Sequence, residues 1–306
     1  MIQATAQRQS PLPQAGRLPD FLIIGAAKSG TTTLYAYLGR HPRIFMSTIK
    51  EPEFFALDSV YDRGLDWYTS LFKDAAMDQL CGEASTAYTR WPQLPEAAPR
   101  IARVLPNARL IYVMRHPIER AYSHYVHRVT RELYPHQPIR WTFEEHVRRD
   151  PMCLDGSRYL EQIERYTPFF PRESFLFLLM EDLNKKPVET LRRVWQFLGI
   201  DEITVEDTDL KSNESREIRE GRIRRYTTSP VRAIPGVGRL TAVLPRSWKN
   251  RLYTVLHRSP YGRWVERRHT PPPMLPQTRA KLVEQLRTPN DRLADFLGRD
   301  LSHWNR

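Results

Sequence analysis

Three short apolar runs, each followed by a polar turn and a helical stripe, set the pattern of this chain. Residues 21–25, Phe-Leu-Ile-Ile-Gly, run without polar interruption and stop at glycine. Such a run predicts a strand buried on both faces. Ala26-Ala27-Lys28-Ser29-Gly30 and Thr31-Thr32-Thr33 follow, and Leu34, Tyr35, Tyr37 and Leu38 begin a helix that ends near Gly39, ahead of Pro42. Residues 109–114, Arg-Leu-Ile-Tyr-Val-Met, repeat the pattern. Pro117 then suits the first turn of a helix, where its missing N–H costs nothing. Ile118, Ala121, Tyr122, Tyr125, Val126, Val129 and Leu133 carry a helical stripe onward. Residues 175–179 predict a third strand, and Val188, Leu191, Val194, Trp195 and Leu198 predict a helix over 187–198 stopped by Gly199.

Strands alternating with helices predict an α/β fold: a parallel sheet with helices on both faces. Residues 1–19 are polar and Pro/Gln-rich and read as a flexible tail, with 20–306 as a single domain. Pro271-Pro272-Pro273 is a stiff connector into a last helical region, about 276–298. Residues 211–270, rich in Arg, Pro and Gly, break the pattern and read as an insertion or lid.

Composition narrows the class. With 41% hydrophobic and 27% charged residues in 306, usage is globular and excludes disorder and collagen. A chain of this length buries ~75% of its unfolded surface and needs no disulfide staples. Only two cysteines are present, Cys81 and Cys153. That excludes a disulfide scaffold or a Cys-based zinc ribbon and suits a reducing compartment. The first twenty residues lack a signal-peptide pattern, and the longest dense apolar run, Phe175 to Met180, falls far short of the ~20 residues that span a bilayer. The expected location is the cytoplasm.

The net charge of +12 points to an anionic partner: nucleic acid, membrane surface or small molecule. Its distribution is uneven. Residues 211–270 hold 15 Lys/Arg and 4 Asp/Glu, so the rest of the chain is close to neutral. The basic segment lacks interleaved stacking aromatics and any recognised module, which argues against nucleic acid.

The loop at 25–32 has the make-up of an anion site. Small residues let the backbone approach, a helix N-terminus follows, Lys28 adds a charge and the threonines add hydroxyls. The order differs from G-x-x-x-x-G-K-[ST], because the lysine precedes the second glycine by two places. An ordinary strand-to-helix turn with a surface lysine is the plain alternative.

This stretch, Phe21 through Leu34, resembles the 5′-phosphosulfate loop of sulfotransferases that use 3′-phosphoadenosine-5′-phosphosulfate (PAPS), in particular the heparan-sulfate-type and bacterial carbohydrate or natural-product enzymes. Arg115-His116-Pro117-Ile118-Glu119-Arg120-Ala121-Tyr122-Ser123 resembles their 3′-phosphate element, with arginine and serine eight positions apart. Glu181-Asp182-Leu183, Phe197-Leu198-Gly199 and Leu297 through Trp304 are similar to the family's late strand, helix and tail. The likeness covers about 20–210 and 275–305. It implies a P-loop-like α/β sheet and a PAPS-dependent enzyme that releases 3′,5′-ADP and requires no metal. It also implies a hydroxyl acceptor ahead of an amine, on a carbohydrate, glycolipid or natural product.

The resemblance implies roles by position. Lys28, Ser29, Gly30, Thr31, Thr32 and Thr33 would hold the 5′ side of the donor, and Arg115, Ser123 and Tyr159 the 3′ side. Arg222, with Arg216 and Arg219, falls where a basic loop closes over the 3′-phosphate. Lys50-Glu51-Pro52-Glu53-Phe54-Phe55 resembles the element with the catalytic glutamate, here Glu51, while Glu53 stands where relatives often carry histidine. Gly82 through Tyr88 resembles an acceptor-side element in which Ala84 and Thr86 occupy slots often filled by lysine and proline. Lys50, Glu53, Glu83 and Ser85 are therefore acceptor-side candidates. A surface pair of Glu51 with Lys50, worth ~0–1 kcal/mol, is the plain alternative for that loop. His116 and His124 are competing bases.

Two further functions stay open on the residues alone: a nucleotide kinase using ATP–Mg²⁺, and a non-catalytic nucleotide or polyanion module. Residues 246–258 place Trp248, Leu252, Val255 and Leu256 at helical spacing among arginines. They fit a peripheral membrane contact, a surface helix packed by its stripe, or a docking face for an acidic acceptor.

Overall fold

Phe21 to Ile24 are fully buried, and the computed structural model sets this strand at the centre of the sheet. The structure describes residues 16–133, 139–203, 248, 254–255 and 258–306. In chain order the elements begin β1 (Phe21–Gly25), α1 (Thr31–Leu38), β2 (Ile44–Met46), α2 (Asp58–Tyr61), α3 (Gly64–Ser70), β3 (Leu80–Ala84), α4 (Ala97–Val104) and β4 (Arg109–Met114). They continue with α5 (Pro117–His127), α6 (Phe143–Arg149), α7 (Met152–Asp155), α8 (Tyr159–Ile163), β5 (Phe175–Leu179), α9 (Met180–Lys185) and α10 (Pro187–Leu198). The last two described helices are α11 (Pro260–His269) and α12 (Pro276–Leu297). None of the described helices is long and apolar enough to cross a membrane.

The chain divides into two compact units. The first takes Met1–Arg120, Leu154–Lys211 and Val283–Arg306; the second takes Ala121–Cys153 and Ser212–Leu282. Both are assembled from separated stretches, so no linker along the chain marks either of them.

In the first unit five parallel strands run in the order β2-β3-β1-β4-β5. All three predicted strands are present, and they are β1, β4 and β5. Alternation of side chains sends Leu22, Ile24, Leu110, Tyr112 and Met114 to one face, with Phe54, Phe55 and Tyr68. Phe21, Ile23, Ile111, Val113 and Leu178 go to the other, under Leu34 and Leu38 of α1 and Leu191, Val194, Trp195 and Leu198 of α10. Each such side chain contributes about 1.5–3 kcal/mol by leaving water. Helix α10 begins with Pro187 in its first turn and ends at Gly199, whose φ of 68° is the left-handed stop that glycine adopts without strain.

Strands β2 and β3 lack the apolar run of the others. Leu80-Cys81-Gly82-Glu83-Ala84 carries a glycine and a carboxylate, yet four of its five residues are buried. Gly82 pairs with Phe21 in register, and a Cβ there would enter the Phe21 ring. The glycine is therefore what lets Phe21 lie across β3.

Strand order reverses at β1. The chain leaves β1 towards β2 and β3 on one side and returns to β4 on the other. Loops after β1 and β4 diverge at their carboxyl ends, and the crevice between them is where open α/β sheets bind ligands.

In the second unit, Tyr125 and Phe143 pack edge to face at 5.7 Å, and the Tyr125 hydroxyl donates to the Trp141 carbonyl at 2.7 Å. A reciprocal capping box between Thr142 and Glu145 starts α6. The stripe predicted from Ile118 to Leu133 is realised as α5 and a wider π-helical turn over Arg128–Leu133.

Gly82→Ala should lower stability by about 1–3 kcal/mol through overpacking against Phe21. Chemical denaturation measures it; an unmoved midpoint would show that the ring does not cover this position.

Candidate functional site

The loop after β1 is fastened on both sides. The Ala26 N–H donates to the Val113 carbonyl of β4 at 2.7 Å, and the Ser29 N–H donates to the Ala26 carbonyl at 3.2 Å. Ser29 and Thr31 are buried. Gly30 sits at the N-cap position of α1 with φ 90°, a left-handed turn that a side chain would strain. No side chain caps α1 and its first turn holds no acid. The amides of that turn and the positive end of the helix dipole are thus left for an anion.

Arg115 follows β4, next door to this loop. Its Nη1 donates to the Lys28 carbonyl at 3.3 Å. Tyr159 is buried and holds the backbone of Arg115: its hydroxyl donates to the Arg115 carbonyl at 2.7 Å and accepts from the Arg115 N–H at 3.3 Å. Trp304 closes over Tyr159 at 5.8 Å between ring centroids. The tail that carries Trp304 is fixed by Arg299, which donates to both carboxylate oxygens of Asp182 at 2.6 and 2.8 Å. This pairing holds the Asp182 carboxyl below its usual range. Two stretches distant in sequence, 181–183 and 297–304, thereby meet behind Arg115.

The His116 N–H donates to Glu181 Oε1 at 2.7 Å. Ser123 and His124 lie on the part of α5 that belongs to the second unit. Arg216, Arg219 and Arg222 lie outside the described residues, as do most residues of 246–258.

The segment 50–55 makes a second fastened loop. Phe54 stacks on Tyr68 at 4.4 Å, and Phe55 meets the same ring edge-on at 5.1 Å. The Glu51 N–H donates to the Ala84 carbonyl and the Glu53 N–H to Ser85 Oγ, both at 3.0 Å. Lys50 Nζ donates to Glu51 Oε1 at 2.7 Å, and Thr86 Oγ1 donates to Oε2 at 3.0 Å. Burial pushes the Glu51 pKa up, but Lys50, Thr86 and Arg90 together outweigh it and hold the carboxyl below its ordinary value. Glu53 goes the other way: burial, with the Glu51 charge adding to it, raises its pKa against the pull of Arg90. Neighbouring carboxylates on one loop are thus held in different proton affinities.

Backbone conformation marks the same residues. Among the described residues, the non-glycine positions with positive φ are Lys28 (69°), Glu51 (58°) and Glu53 (55°). Left-handed backbone costs an ordinary residue about 1 kcal/mol or more, and such positions gather at functional sites.

Glu83 and Ser85 support this loop from beneath. Glu83 is 0% exposed, beside the hydroxyls of Tyr68 and Tyr88, and Ser85 Oγ donates to its Oε2 at 3.4 Å. Desolvation raises the Glu83 pKa to about 8, against the hydroxyls of Tyr88, Tyr68 and Ser85. It is a neutral acid at pH 7. Thr86 and Arg90 are contributors that sequence reasoning missed. Only the fold brings them to Glu51 across more than thirty residues, and Thr86 stands where the resemblance leads one to expect another residue type.

A family model described as "Sulfotransferase domain" matches residues 18–258. The chain is 32% identical over 203 residues to bifunctional heparan sulfate N-deacetylase/N-sulfotransferase 3 of Homo sapiens, a match covering 60% of this chain and 22% of that protein. With bifunctional heparan sulfate N-deacetylase/N-sulfotransferase 1 of Caenorhabditis elegans the identity is 28% over 207 residues, covering 62% and 23%. The chain thus spans about a fifth of the length of these curated relatives. The crystal structure of a sulfotransferase from Alicyclobacillus acidocaldarius matches with a TM-score of 0.65 at 25% identity, over 95% of this chain and 100% of that one.

The Glu83 proton makes stability depend on pH. Its folded pKa lies above the unfolded value of about 4.3. The stabilisation is therefore complete below the unfolded value and is lost as pH rises towards about 8. The slope reaches at most ~1.4 kcal/mol per pH unit. Glu83→Gln should flatten that slope, so that its denaturation midpoint gains on wild type from about pH 5 to about pH 8. Parallel slopes in the two proteins would show that Glu83 is already ionised in the fold.

Proposed function

Since the chain belongs to the sulfotransferase family, we propose that it transfers a sulfuryl group from PAPS to an acceptor by in-line displacement, with Glu51 as general base. The observation that carries this reading is that, among the described non-glycine residues, left-handed backbone falls on Lys28, Glu51 and Glu53, all of them members of the two motifs.

The donor fits the first loop by chemistry. The uncapped start of α1, Lys28, Ser29, Gly30 and the hydroxyls of Thr31, Thr32 and Thr33 supply donors and positive potential for a phosphosulfate. Arg115, tied to the Lys28 carbonyl, offers the planar fork suited to a phosphate. Tyr159 acts through Arg115, since its hydroxyl is spent on that backbone. The share given to Ser123 and Arg222 rests on their motif positions alone.

The transfer forms a bond from the acceptor heteroatom to sulfur and breaks the bond from sulfur to the phosphate oxygen of the donor. The acceptor proton goes to Glu51, and 3′,5′-ADP leaves with its new charge facing Lys28 and the α1 amides. The sulfuryl group carries less negative charge than a phosphoryl group, so this scheme calls on no metal. Glu51 is ionised at neutral pH, which a base requires. Its contact with Lys50 has two consequences. It keeps Glu51 charged until the acceptor arrives, and it sets an ammonium beside the base.

A hydroxyl of a carbohydrate, glycolipid or natural product is the first reading of the acceptor. An amine is the second, favoured by the relatives, whose names describe N-sulfotransferases. Family membership removes the support for the kinase reading. Trp248 and Val255, described members of the 246–258 stripe, are exposed, which supports its use as a contact surface for lipid or acceptor.

Calorimetric titration with 3′,5′-ADP and with ATP–Mg²⁺ tests the donor; binding of ATP–Mg²⁺ alone would overturn the reading. Glu51→Gln should cut transfer by ~10²–10⁴-fold while 3′,5′-ADP binding is kept; near-normal turnover would remove Glu51 from the mechanism and a loss of binding would assign it to the donor site.

Removal of Lys50 gives an independent check. Lys50→Met should move the acid limb of kcat/KM to higher pH, because it removes the main influence that lowers Glu51. An unmoved limb would show that another group sets it. Arg115→Ala should weaken 3′,5′-ADP binding by about 10–100-fold, the worth of a hydrogen bond to a charged group.

A further inference from the structure

The second unit contains a side-chain cluster that sulfuryl transfer does not use. His124 lies on α5, His146 in the last turn of α6, and Asp150 at the residue that ends α6. His146 Nε2 is 3.6 Å from Asp150 Oδ2, and His124 Nε2 is 3.8 Å from the same oxygen. One ligand atom from each of the three residues lies within 4.8 Å of the other two. His146 is 1% exposed and His124 is 8% exposed at its side chain.

The geometry points to a divalent transition-metal site, of the zinc class, formed by His124, His146 and Asp150. Two imidazole nitrogens and one carboxylate oxygen are the donor set that zinc takes. Bonds of about 2.0–2.1 Å in a tetrahedron put ligand atoms ~3.4 Å apart. The two histidine-to-carboxylate separations, 3.6 and 3.8 Å, exceed this by only a few tenths of an ångström, and the histidine pair, within 4.8 Å, would draw together on the ion. The ligands also sit on prepared elements. The capping box fixes the start of α6, and His146 and Asp150 are four residues apart at its end, on one side of the helix.

Arg128 lies on the same carboxylate, its Nε 3.6 Å from Asp150 Oδ2. It is the rival of a cation for that oxygen. With the ion bound it becomes an outer partner that orients the carboxylate, as such partners do around ligating carboxylates. Three protein ligands leave a fourth position for water. Asp150 is the most exposed of the three and marks the side of entry.

The ion would serve the fold of this unit. Helix α6 has seven residues, fewer than an isolated helix needs for stability. A metal joining its last turn to α5 would add to the packing of Phe143 against Tyr122 and Tyr125 and of His146 against Tyr125. The site uses none of the side chains assigned to transfer, although His124 follows Ser123 on α5, so Zn²⁺ binding is read by calorimetry and thermal shift, independently of transfer, and its loss and a failure of the transfer reading are distinguishable.

The test uses the full chain, stripped with a chelator and desalted. Titration with Zn²⁺ by calorimetry, and with Co²⁺ by visible absorption, should give one ion per chain and a rise in melting temperature with added Zn²⁺. Asp150→Asn, which keeps the shape of the side chain, and His146→Gln should each weaken Zn²⁺ binding at least tenfold and lose the thermal shift. Should His146→Gln fail to fold, Asp150→Asn decides alone, with circular dichroism as its check. Absence of stoichiometric binding in the wild type, or equal Zn²⁺ affinity in Asp150→Asn, would leave the cluster as an Arg128–Asp150 ion pair beside two histidines and overturn the assignment.

Discussion

Burial of β1 on both faces is the constraint from which the site follows. Its four leading side chains are wholly buried and pack to opposite sides, so the strand has no freedom to shift or tilt. Parallel pairing with β3 and β4 then fixes where its carboxyl end emerges. The peptide after Gly25 must turn at once, and the Ala26 bond to Val113 sets the turn against β4. Lys28 and Arg115 are neighbours because their strands are neighbours. The place of this loop is a result of sheet order more than of any contact within the loop.

Electrostatics in the site runs on unequal burial. Glu51, Glu53 and Glu83 lie on or under one loop, and burial raises the proton affinity of all three. They differ in which cations reach them. Glu51 has Lys50 and Arg90 and is ionised, Glu53 has Arg90 against Glu51, and Glu83 has hydroxyls alone and keeps its proton. A neutral Glu83 beneath an ionised Glu51 avoids placing a second negative charge in the same low-dielectric pocket. The Ser85 hydroxyl links Glu83 to the backbone of Glu53, so the buried acid also shapes the loop.

The central and right-hand strands of the sheet were legible because each is an unbroken apolar run with a glycine or a charged residue at its end. Helices α5 and α10 were legible through their stripes, with the Pro117 start for the first and the Gly199 stop for the second. Strand β3 was hidden because periodicity treats Glu83 as a surface residue and Gly82 as a turn, whereas the fold uses one as a buried acid and the other as clearance for Phe21. Lys28, Arg115 and Glu51 were legible as motif members, and the fold places Lys28 and Arg115 side by side. Arg90 carries no local signal, and Thr86 was legible only as an atypical member of its motif; the meaning of both is a distance to Glu51 that only the crossover from β2 to β3 creates.

The left-handed backbone at Glu51 and Glu53 bears on how this chain can change. Glycine or asparagine would occupy either position at lower conformational cost. Any selection for heat resistance alone would therefore drift towards those residues, and each step would trade away a carboxylate. Under the proposed function, the left-handed backbone at 51 and 53 is the conformational cost of setting two carboxylates on either side of Pro52. A thermostable variant reached through 51 or 53 would, under that function, gain scaffold stability and lose transfer together.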